Sequence, residues 1–179
     1  MGGVRSVICT LPVKRAETGP TFAATTARHW SSPVASKDEE AFAKLKALEG
    51  TWVGTAAHGE TIPDMSVTYK LTAAGSAVVE TLFPGKPHEM VTVYTLDNGK
   101  LKGTHYCSMG NQPNLYFKSS DAKSVTLEFK DGGNMKPGDG HMHKAVITFV
   151  DGDDLKSAGY PMISGKLGEP ATFDLKRQK

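Results

Sequence analysis

The stretch MVTVYTLDNGKLKGTHYCS, Met90 to Ser108, reads as two strands hinged on a two-residue turn. Asn98 and Gly99 both tolerate the positive φ that a type I′ turn demands, which makes this the strongest hairpin signal in the chain. Beyond the turn, Leu101, Gly103, His105 and Cys107 fall on one face and Lys102, Thr104, Tyr106 and Ser108 on the other. The lysine marks the second set as facing water, so His105 and Cys107 are expected to turn inward.

The same period of two recurs on both sides of this hairpin. Strands are expected near Thr51–Ala57, Ser66–Leu71, Ala77–Phe83, Met90–Leu96, Leu101–Ser108, Leu115–Lys118, Ser124–Lys130, His141–Val150, Leu155–Ile163 and Thr172–Lys176. Turn residues separate them at short intervals, and nothing helical interrupts them. Ahead of them, Ser36 to Glu39 reads S-K-D-E, a capping box, and Phe42, Leu45 and Leu48 recur at helical spacing. One amphipathic helix over Lys37–Glu49 is expected, with Gly50 as its left-handed stop. Consecutive antiparallel strands with one apolar face bury it most simply by closing on themselves, which also removes exposed edges. The expected fold is therefore all-β, an up-and-down antiparallel barrel of about ten strands over residues 37–179, preceded within that domain by the short helix. A two-sheet sandwich is the alternative that the same spacing permits.

Composition narrows the function classes. The 179 residues are 39% hydrophobic and 22% charged with a formal net charge of +2. No run approaches the ~18 to 20 apolar residues of a membrane helix, so no transmembrane segment is expected. The lysines are scattered rather than clustered among aromatics, which argues against nucleic acid. Cys9 and Cys107 alone make no disulfide framework. From Met1 to Ser36, Arg5, Lys14, Arg15 and Arg28 stand among Ala, Ser and Thr with Glu17 as the single acid, the character of an organelle transit peptide. ARHWSSPVAS looks like a mitochondrial processing site. A mitochondrial location is the first expectation; an exported prokaryotic leader, or the disordered tail of a cytoplasmic protein, are the alternatives.

The GTWVG run at Gly50–Gly54 resembles the G-x-W opening of the calycin superfamily, which includes lipocalins, fatty-acid-binding proteins and nitrobindins. The resemblance implies a barrel in which Trp52 closes one end, with Arg177 from the last strand on its indole face. More closely, THYC, GNQPN and GHMH, in that order, resemble a group of poorly characterised bacterial lipocalin-like proteins assigned to a domain family of unknown function, over roughly Leu48 to Lys176. Nitrobindins bind haem through one late axial histidine. Here GTWVGTAAHG lacks their full glycine spacing and no histidine follows His143, so haem is the weaker cofactor expectation.

A second pair of histidines opens HMHKAVITFV, His141 to Val150. Lys144 and Thr148 place Met142, Lys144, Val146 and Thr148 outside, and so His141, His143, Ala145, Ile147 and Phe149 inside. Three histidines and the thiol of Cys107 are thereby expected on one lumen, where Tyr69, Phe129, Phe149 and Phe173 also fall on inward positions. Asn111 and Gln112, beside Pro113, are placed where a loop meets the barrel mouth and can orient a ligand; a plain polar turn is the other reading. Neutral histidines that simply fill the core are the bland alternative.

From these residues three functions are drawn. The first is a lumen that takes a small, partly apolar ligand, anchored by His105, His141 and His143. The second is a zinc site on the same three histidines with hydrolytic or hydration chemistry. It meets a difficulty, because the two histidine-bearing strands are separated by two others and stand roughly 14 Å apart at ~4.8 Å per strand. The third is a non-catalytic accessory subunit of a larger mitochondrial assembly. No residue set assigns a catalytic role. His105 and Cys107 are ~7 Å apart at Cα, too far for a dyad. A cupin-type glutamate is missing beyond H-x-H, where Ile147 and Thr148 stand, and the DGDD turn at Asp151 to Asp154 lacks a calcium-loop pattern.

Overall fold

A computed structural model describes residues 34–179. All but the last three residues of the Met1–Ser36 tail or transit-peptide reading, and Cys9 with them, lie on residues 1–33, outside the described residues, while Ser36 caps the first helix. Helix α1 (Lys37–Lys46) leads into β1 (Gly50–His58), β2 (Glu60–Thr72), β3 (Ala77–Leu82), β4 (Met90–Asp97) and β5 (Lys100–Tyr106). Then come β6 (Gln112–Ser120), β7 (Ser124–Gly133), β8 (His141–Phe149), β9 (Asp154–Ile163), the short β10 (Lys166–Leu167) and β11 (Ala171–Arg177). From β1 to β9 each strand pairs antiparallel with the next, and β11 lies between β9 and β1. The result is a closed 10-strand barrel, with the two-residue β10 pairing only with the end of β9. Closure excludes the sandwich. At the hairpin that anchors the fold, Asn98 (φ 50) and Gly99 (φ 76) both take positive φ between the paired Asp97 and Lys100.

One end of the barrel is plugged by α1. Ser36 and Glu39 cap it reciprocally, and its buried face of Ala41, Phe42 and Leu45 rests on the core. Asp38, itself buried, accepts a hydrogen bond from Leu101 N (2.9 Å) and so fastens the helix to the start of β5. The helix ends at Lys46, earlier than its apolar spacing suggests, and Gly50 instead opens β1 at φ 130. The reason lies in the partners of the following carbonyls. Trp52 Nε1 donates to Leu48 O (2.8 Å), while Arg177 donates to Glu49 O (2.8 Å) and Ala47 O (3.1 Å). These side chains satisfy the chain end that a further helical turn or a glycine cap would otherwise serve. Arg177 is the cross-strand partner of Trp52 and lies 4.3 Å from its ring centroid.

Burial thins toward the opposite end. In β7 and β8 the fully buried positions, Val125, Leu127, Ala145 and Ile147, lie in the half nearer α1. The lumen is thus filled at one end and open in the other. Among the described residues no helix is long and apolar enough to cross a membrane.

Candidate functional site

The open half of the lumen holds a cavity of about 220 Å³. Its mouth is formed where β1, β3 and β5 end and β8 and β11 begin, by His58, Leu82, Cys107, His141 and Ala171. Deeper in, Leu115, Ile147 and Phe173 make apolar wall, and against them stand Glu80, Tyr94 and His105.

Those polar groups belong to one row. Tyr69 on β2, Glu80 on β3, Thr92 on β4 and His105 on β5 are successive cross-strand partners, so the side chains lie side by side on the inner face. Tyr69 Oη donates to Glu80 Oε1 at 2.6 Å, and Tyr94 Oη donates to Oε2 at 2.9 Å. Thr92 Oγ1 and His105 Nδ1 are hydrogen-bonded at 2.9 Å. Tyr94 sits one inward position along β4 and reaches Glu80 diagonally. Its cross-strand partner is Gly103, and a Cβ there would stand 3.0 Å from two carbons of the ring. A residue without a side chain at 103 therefore lets the Tyr94 ring lie across β5.

Electrostatically the row is a buried acid with no buried cation. Glu80 is 5% exposed, and among the described residues no lysine or arginine lines the cavity. Burial pushes the Glu80 carboxyl up, opposed by the hydroxyls of Tyr69, Tyr94 and Thr92, which favour its charged form. Burial, and then the charge of Glu80, raises both tyrosines well above the usual phenol range. Burial also lowers His105 from 6.5 to about 4, so its imidazole is neutral at pH 7.

Of the residues read from sequence, His105, Cys107, His141 and Phe173 line the cavity. Tyr69 is buried within the polar row, and Phe149 packs against the core near the α1 end; neither lines the cavity. Phe129 and His143 also stand off it. The β8–β9 pairing steps from Met142↔Pro161 to Lys144↔Tyr160, leaving His143 as the extra residue of a β-bulge. That insertion interrupts the expected alternation: Ala145 and Ile147 are buried as read, Met142 and Val146, expected outside, also line the cavity, and His143 does not line it. Instead Phe129, His141 and His143 gather at the rim. Phe129 lies 4.1 Å from His141 and 5.9 Å from His143 between ring centroids. Burial and then the neighbouring His141 lower the His143 pKa.

Asn111 and Gln112 do not reach the cavity either. Asn111 is buried and donates to Gly140 O (2.8 Å), tying the β5–β6 loop to the start of β8, while its Oδ1 has no partner among the described residues. Gln112 donates to Gly110 O (3.2 Å) within its own loop. Nor do His105, His141 and His143 form a zinc triad: among the described residues no three His, Cys, Asp or Glu side chains come together to hold a metal ion. His105 is engaged by Thr92 deep in the lumen, and the other two stand at the rim. Haem does not fit either, since the cavity, about 220 Å³, falls short of the ~300 Å³ at which pockets for drug-sized ligands begin.

Glu80 is the residue that strand reading missed. It lies in AVVETL, where Val78, Glu80 and Leu82 alternate with Ala77, Val79 and Thr81. The period-two test used on β5 and β8 applies there as well, although both sets are mostly apolar and give it little contrast.

No protein-family model matches the sequence, and no curated protein matches it.

Proposed function

We propose that the chain is a small-ligand-binding β-barrel whose ligand, a compact and mostly apolar molecule, sits in the open half of the lumen. The observation that carries this reading is the cavity itself: apolar on most sides, with His105, Glu80 and Tyr94 brought to one wall by strand register. Pockets of that make-up, mostly apolar with a few convergent polar groups, are the usual form of ligand sites. At about 220 Å³ the cavity exceeds the ~150 Å³ that holds a benzene ring.

Native mass spectrometry of the full chain after exposure to a small-molecule extract tests the proposal, together with amide chemical-shift changes on adding toluene. Retained compounds, and shifts confined to residues around the cavity, are the expected result. A protein that emerges empty and shows no shift with toluene overturns it.

A further inference from the structure

Each oxygen of Glu80 accepts a tyrosine hydroxyl, at 2.6 and 2.9 Å, which is the arrangement of an ionised carboxylate that accepts and does not donate. Thr92 stands between this carboxylate and His105 as cross-strand partner of both. Its hydroxyl has one proton to give. The Glu80 carboxylate lies beside Thr92 on the neighbouring strand, and its charge turns the Thr92 O–H dipole toward it, so that the Thr92 oxygen accepts from His105 Nδ1–H. A neutral imidazole carries one N–H. Nε2 is left as a bare lone pair.

His105 is 2% exposed, lines the cavity, and among the described residues makes its hydrogen bond through Nδ1 alone. Its unpaired acceptor therefore faces the ligand space. The surroundings also select for charge. An anion would meet the Glu80 carboxylate with, among the described residues, no lysine or arginine on the wall to offset it. A cation would find both oxygens of that carboxylate already accepting tyrosine hydroxyls.

We infer that the ligand is a small uncharged molecule with one hydroxyl donor on an otherwise apolar body, a phenol or aryl alcohol, which donates to His105 Nε2. This rests on the reading of the lumen as a binding site.

The test is titration of the full chain, followed by amide chemical shifts, with four probes: p-cresol, toluene, benzoate and benzylamine. A single added hydrogen bond predicts p-cresol binding about tenfold tighter than toluene, with benzoate and benzylamine weaker than both. In His105→Leu the p-cresol advantage should vanish while toluene affinity stays within about threefold. Nitrogen-15 spectra of wild-type imidazoles at pH 7 supply a readout that needs no variant: the Nδ1–H tautomer is expected for His105. Toluene binding without a p-cresol advantage, preference for either charged probe, or an Nε2–H tautomer overturns this inference and leaves the binding site standing. Binding of none of the four overturns both.

Discussion

Acidification from pH 7 toward 4 should destabilise the barrel through His105. Its folded-state pKa of about 4 lies below the ordinary 6.5, so the unfolded chain takes up this proton more readily than the folded one. The stability at stake is fully present above pH 6.5 and is lost as pH falls from there through about 4. At roughly 1.4 kcal/mol per pH unit the loss approaches about 3 kcal/mol, a large share of the 5–15 kcal/mol typical of a domain. Glu80 acts in the opposite sense. Its folded-state pKa is raised by burial, so its penalty is present above that value and relieved on acidification, which masks part of the His105 effect. The measurement is therefore made in Glu80→Gln, by urea denaturation followed by tryptophan fluorescence, with and without His105→Gln. Stability of the single variant should fall by about 3 kcal/mol across this range relative to the double variant. Parallel pH profiles for the two proteins would refute the claim that His105 is held neutral by burial.

Tyr69→Phe leaves Glu80 Oε1 without its 2.6 Å donor and should cost about 2 kcal/mol in urea denaturation; Tyr116→Phe, half-buried beside Lys130, serves as control and should stay within ~0.5 kcal/mol. Because Met142 lines the cavity while His143 stands at its half-buried rim beside His141, Met142→Lys should lower thermal stability by ~1–3 kcal/mol and His143→Lys by less than ~1. The opposite ranking would restore unbroken alternation through β8. Gly103→Ala drives a methyl to 3.0 Å from the Tyr94 ring; a loss of ~1–3 kcal/mol is expected, with a change in near-ultraviolet circular dichroism from the displaced tyrosine. Arg177→Lys keeps the charge but not the fork that spans Glu49 O and Ala47 O above Trp52, so a loss of ~1–2 kcal/mol is expected by calorimetry, and unchanged stability would show the pair to be idle.

Strand identity is legible in the chain because its causes are local, whereas closure, which excludes the sandwich, comes from β11 pairing with both β9 and β1. Asn98 and Gly99 accept the positive φ of their turn, Ser36 and Glu39 cap a helix within four residues, and side-chain alternation follows from strand geometry alone. The same locality reads His105 and Cys107 inward, since Lys102 supplies a polar contrast on the other face. Where that contrast is absent or the period breaks, sequence stops being enough. β3 is apolar on both faces, which hid Glu80, and the residue that interrupts β8 is marked only by its pairing to β9. The row Tyr69–Glu80–Thr92–His105 depends on the registers of three strand pairs at once. Residues far apart in the chain become neighbours only when every pair is in place, so the tertiary structure alone decides that a buried acid and a histidine share one wall of the lumen.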